Sequence, residues 1–141
     1  MKKSLHFIFV LGLIIFSSCS TNLKKVSSGK SIETRLIGVW DGIETNEDFD
    51  GIEKKWEMIR RDDGTFTLNF TYSENGNPQN KIETGKWWID NGKFHEYNDV
   101  SGNTDIYKYK VLNNDQIKFI AKKMSVEMPP KDYEFINKRK K

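Results

Sequence analysis

Alanine occurs once in 141 residues, at Ala121, cysteine once, at Cys19, and proline three times. Alanine is the strongest helix former, so its near absence argues against a helical bundle. A lone cysteine excludes any intramolecular disulfide. Histidine occurs only at His6 and His95, too few for a zinc site that wants three or four N or S ligands. Charge of one sign is lacking as well. The formal balance is +3, yet from Arg35 onward 18 basic residues meet 19 acidic ones. The positive excess therefore belongs to the N-terminal part, and no basic nucleic-acid-binding face is expected. The one long apolar run, Phe7 to Phe16, is ten residues with Gly12 inside it. A bilayer-spanning helix needs roughly 20. What remains has room for a single domain, and it is rich in aromatic residues, at 13%.

Lys2 and Lys3 followed by that apolar run read as a signal peptide. Phe16-Ser17-Ser18-Cys19 then resembles the lipobox of bacterial lipoproteins, with small residues directly before a cysteine. The resemblance implies cleavage after Ser18 and fatty acyl chains, palmitate among them, on Cys19. It also implies an address in the bacterial cell envelope, anchored in the outer membrane on its periplasmic or surface face. Several acyl chains at about 0.8 kcal/mol per buried CH₂ hold a protein on a membrane effectively permanently. Residues 19–34 carry Ser20, Thr21, Ser27, Ser28, Ser31, Gly29 and three lysines with no hydrophobic period. They are expected to form a flexible tether with a reach of roughly 20 Å. The folded domain is expected over 35–141.

From Leu36 on, the pattern has period two. Phe66, Leu68, Phe70 and Tyr72 alternate with Thr65, Thr67, Asn69 and Thr71, and shorter alternations surround Trp56, Tyr107, Ile117 and Tyr133. Asp63-Gly64, Asn75-Gly76, Asn91-Gly92, Ser101-Gly102-Asn103 and Asn113-Asn114 punctuate them. Asp-Gly and Asn-Gly suit type I′ hairpin turns, and Pro129-Pro130 marks another connection. Eight strands follow, at 36–45, 53–61, 65–73, 81–89, 93–98, 105–112, 116–123 and 132–139. The fold class is all-β: an eight-stranded antiparallel up-and-down barrel, whose closure removes the exposed edges. A two-sheet sandwich is the alternative. Eight strands leave an interior that side chains fill or that holds one small ligand.

Gly38-Val39-Trp40 opens the first strand and Tyr133 to Arg139 closes the last, with Asp63 to Leu68 and Gly85 to Asp90 between. This order resembles the small lipocalin-like domains of Gram-negative lipoproteins. The resemblance implies that Trp40 sits at the closed end of the barrel with Arg139 packed over it, a contact worth about 0.5–2 kcal/mol.

No residue is assigned a catalytic role, and no cofactor or metal is expected. His95 lies in an alternating strand with no nucleophile signature nearby. The acidic stretch Glu44, Glu47, Asp48, Asp50 and Glu53 lacks EF-hand spacing and reads as a solvated loop. The aromatic excess points to a packed core or to an aromatic-lined cup. Candidate ligand-lining residues are Phe66, Leu68, Phe70, Tyr107 and Tyr109, with the tyrosine hydroxyls orienting the ligand. Trp87 and Trp88 must face opposite sides of their strand. The expected function is binding of a small hydrophobic ligand at the membrane. A filled barrel acting on an envelope protein as an inhibitor or assembly factor is the alternative, and a site in the barrel mouth combining His95, a carboxylate and a tyrosine would mark an enzyme.

Overall fold

The computed structural model describes residues 22–46, 52–74, 76–125 and 133–141. The apolar N-terminal run, Cys19, the centre of the acidic stretch and Pro129-Pro130 lie outside the described residues. Ten strands run in chain order: β1 (Leu23–Lys25), β2 (Ser31–Glu33), β3 (Gly38–Asn46), β4 (Ile52–Arg60), β5 (Thr65–Glu74), β6 (Asn77–Asp90), β7 (Lys93–Asn98), β8 (Thr104–Asn113), β9 (Gln116–Lys123) and β10 (Glu134–Arg139). A 3-10 turn, Thr34–Leu36, joins β2 to β3.

Strands β3 to β10 pair antiparallel, each with its sequence neighbour. The seam between β10 and β3, with Arg139 opposite Trp40 and Lys138 opposite Asp41, closes them into an eight-stranded barrel. The sandwich alternative is thereby excluded. The eight strand positions read from the alternation coincide with β3 to β10, because a side-chain period of two is fixed by the pleat itself. Turn chemistry behaves less uniformly. Asn91 and Gly92 both take positive φ, +48° and +69°, as a type I′ turn requires. At Asp63-Gly64 only Gly64 does. Asp63 instead accepts hydrogen bonds from the backbone N–H and hydroxyl of Thr65 at 2.8 and 2.7 Å, so this turn is held by its side chain.

Over residues 22–34 the structure corrects the expectation of a flexible tether spanning 19–34. Strands β1 and β2 form a hairpin, and β2 continues the sheet through Ser31 opposite Ile89. The reason lies in β6. Its first part pairs with β5 up to Lys86, and its second part, Gly85 to Asp90, pairs with β7. Past Lys86, opposite the first residue of β5, one edge of β6 is left open, and the hairpin covers it. Ile32 and Leu36, both 0% exposed, then seal the barrel end. Serine-rich composition concealed one apolar anchor.

The core is graded along the barrel axis. Trp40, Trp87, Phe66, Phe94, Phe119 and Ile117 are fully or almost fully buried toward the closed end. Phe94 lies against Trp87 at 5.9 Å and against Phe119 at 5.1 Å between ring centroids. This half of the interior is filled.

Candidate functional site

The other half is not filled. Strand β4 descends from the open end, and its inward side chains Lys54, Trp56, Met58 and Arg60 form one wall of a cavity of about 170 Å³. Leu68 and Phe70 from β5 continue that wall, since Met58 is opposite Leu68 and Trp56 opposite Phe70. Tyr107, Phe135, Asn137, Tyr133 and Glu96 complete the lining. Trp56 meets Phe135 edge-on at 5.4 Å, and its indole N–H donates to Asn137 Oδ1 at 3.1 Å. Gly42, beneath Trp56 on β3, leaves the ring its place, because a Cβ there would run into the indole.

Of the five candidate lining residues, Leu68, Phe70 and Tyr107 reach the cavity. Phe66 and Tyr109 do not, and both are corrected. Phe66, the second residue of β5, lies at the closed end and is packed under Gly85, deep in the filled half. Tyr109 stands one inward position further down β8 than Tyr107, and its hydroxyl donates to Glu33 at 3.4 Å. Glu33 is itself held by two hydrogen bonds from Arg35, at 2.8 and 3.1 Å. Burial beside that carboxylate pushes the Tyr109 pKa up to about 12. The Tyr107 hydroxyl donates to Asp105 at 3.4 Å. Both tyrosine hydroxyl protons are thus directed at carboxylates of the chain itself.

The polar groups left unpaired on the cavity wall belong to residues not singled out in the sequence. Arg60 is 2% exposed, and its guanidinium carbon lies 5.0 Å from the ring centroids of both Phe94 and Phe119. Desolvation lowers its pKa to about 10, which leaves it charged at neutral pH. Its Nε and Nη1 have no hydrogen-bond acceptor, and neither does Nδ2 of the fully buried Asn137. Glu96 faces Arg60 from β7. Burial outweighs the attraction of Arg60, and Asp105 and Glu83 add repulsion, so its pKa is pushed up to about 7. The signal for all three was parity. Arg60 follows Trp56 and Met58 at period two, Glu96 follows Phe94, and Asn137 follows Phe135. A polar residue at an apolar-parity position faces the interior and must have a reason to be there.

Trp40 and Arg139 touch. The guanidinium lies 4.1 Å from the indole centroid, and it donates to the carbonyls of Ile37, Arg35 and Asn114. The Trp40 N–H donates to the Leu36 carbonyl at 3.0 Å. Trp87 points inward and Trp88 outward. On the outer face Trp88 stacks on His95 at 5.2 Å, with Lys30 Nζ 3.2 Å from its ring centroid. His95 is therefore away from the cavity, and the carboxylate and tyrosine in the cavity stand without it. Among the described residues no cluster of His, Cys, Asp and Glu is arranged to hold a metal ion.

A family model described as a lipocalin-like domain matches residues 36–119. No curated protein and no solved structure matches the chain. The matched span runs from the 3-10 turn through the centre of β9 and includes Trp40, Arg60 and Glu96.

Proposed function

The chain belongs to the lipocalin-like domain family, a fold suited to binding small ligands, and on that premise we propose that it is a non-catalytic envelope lipoprotein whose barrel holds a small, mainly apolar molecule. The observation that carries this reading is the half-filled interior. The barrel end with Trp40 is solid, while Trp56, Met58, Leu68, Phe70, Tyr107 and Phe135 surround a cavity of about 170 Å³. A cavity of about 150 Å³ accommodates a single benzene ring. The ligand is thus ring-sized or a short chain, and haem or a whole lipid is excluded from full enclosure. His95 on the outer face supports a binding protein over an enzyme. The lipobox-like Phe16-Ser17-Ser18-Cys19 supports anchoring through acyl chains on Cys19, in the outer membrane. Trp56 lines the cavity, so a bound ligand should change intrinsic fluorescence. Titration with small aromatic and short-chain compounds is expected to show saturable quenching below millimolar concentration. A response from none of them would remove the binding reading.

The interaction-module alternative draws on Trp88, an aromatic residue on the outer surface. That ring is already covered by Lys30 and His95, so the cavity remains the stronger feature.

A further inference from the structure

Three buried side-chain polar atoms among the described residues have no hydrogen-bond partner: Nε and Nη1 of Arg60 and Nδ2 of Asn137. All three are N–H donors, and both residues line the same cavity. An unmet buried donor costs about 1–3 kcal/mol, and a charged one more. Such atoms are rare in folded chains, and an acceptor from outside the chain is one way to complete them. The partner these atoms require is an acceptor. Glu96 on the same lining does not satisfy these atoms, and burial keeps it partly protonated near neutral pH. The Arg60 charge thus stands in a low-dielectric wall with incomplete compensation. The guanidinium packs against the rings of Phe94 and Phe119 at 5.0 Å, which reduces the freedom lost when an anion meets it. From there the apolar wall of Met58, Leu68 and Phe70 leads toward the open end.

We propose that the cavity selects ligands bearing a carboxylate, with the carboxylate against Arg60 and Asn137 and a ring-sized or short-chain apolar body along Met58, Leu68 and Phe70. A carboxylate supplies two acceptor oxygens and the missing negative charge, and charge-assisted hydrogen bonds are about twice as strong as neutral ones. An alcohol of the same shape fills the same volume but leaves the guanidinium uncompensated. This selectivity rests on the cavity being a ligand site, as proposed above, and the test separates the two statements.

Full-length detergent-extracted protein is titrated by calorimetry at pH 7 with benzoate and with benzyl alcohol, each against a matched micelle blank. Benzoate is expected to bind at least tenfold more tightly. Arg60→Met should weaken benzoate at least tenfold while changing benzyl alcohol less than threefold, and Arg60→Lys should restore part of the loss. Benzyl alcohol binding as tightly as benzoate overturns the carboxylate preference and leaves the cavity reading standing. Binding of neither at millimolar concentration overturns both. If Arg60→Met does not fold, the Arg60 Nε–H resonance of the wild-type protein decides. A shift on adding benzoate supports the assignment, and an unmoved resonance at saturation overturns it.

Discussion

Glu96 and Arg60 face each other across the cavity from β7 and β4, and their energetics are opposite in kind. Glu96 also faces Glu83 on β6, where Lys81 pairs with Glu83 at 2.6 Å, and Asp105 and Tyr107 on β8. Its pKa is about 7 when folded, against a reference of 4.5. Between these values the folded state holds a proton that the unfolded state has released, so stability falls as pH rises from about 4.5 to 7. Glu96→Gln removes that loss. Urea denaturation should show the variant more stable than wild type at pH 8, by roughly 1–3 kcal/mol, and nearly equal at pH 5. Equal stability at both values would mean that Glu96 is well solvated. Trp40 and Arg139 give the second residue-scale test. Trp40→Ala should cost about 3–5 kcal/mol, and Arg139→Ala about 1–3 kcal/mol, because three backbone carbonyls lose a charged donor. The double variant should fall short of the sum by at least about 0.5 kcal/mol. Strict additivity would show that the indole and guanidinium contribute independently.

Two elements rest on features that strand patterning ignores. Strand β6 turns from β5 to β7 at Gly85, where an added Cβ would meet the Tyr97 carbonyl and, at 2.6 Å, the Phe66 ring. Backbone cannot yield as a flexible side chain does. Gly85→Ala should therefore lower stability by about 3 kcal/mol, visible as a reduced urea midpoint. A loss under ~0.5 kcal/mol would mean that the strand bends elsewhere. The β1–β2 hairpin is the other case. Ile32→Ala should cost about 2–5 kcal/mol if the hairpin seals the barrel end, whereas a change in a solvated tether shifts stability by less than ~0.5 kcal/mol. Thermal melting of the two forms separates these outcomes.

At the scale of the whole molecule, the barrel divides its interior between support and space. Phe66, Trp87, Phe94 and Phe119 make the rigid half against which Arg60 is held, and Trp56, Phe70 and Phe135 line the open half. Attachment is a separate matter, and the acyl anchor proposed at Cys19 rests on the lipobox-like Phe16-Ser17-Ser18-Cys19. Cys19→Ser should move the protein from the membrane pellet to the soluble fraction after a high-salt wash, with the melting temperature of the barrel unchanged. A variant that still sediments with membranes would show that the acyl anchor is not what holds the protein there.

The sequence alone determined the number, order and direction of the barrel strands. Alternation with period two survives any tertiary arrangement, and the Gly-Asn-Asp turns fix which strands are neighbours. It also determined that Trp87 and Trp88 part to opposite faces. Depth along the barrel was beyond it. Phe66, Leu68 and Phe70 share one parity, yet Phe66 is packed under Gly85 while Leu68 and Phe70 line a cavity, because strand stagger around the closed sheet sets how far each residue lies from the floor. The edge of β6 that orders residues 22–34 is likewise created only because β6 runs on past the first residue of β5. The bonding state of Arg60, Glu96 and Asn137 was decided last. Parity places them inside, but whether a buried donor finds an acceptor depends on side chains from β4, β7, β8 and β10 meeting across the interior.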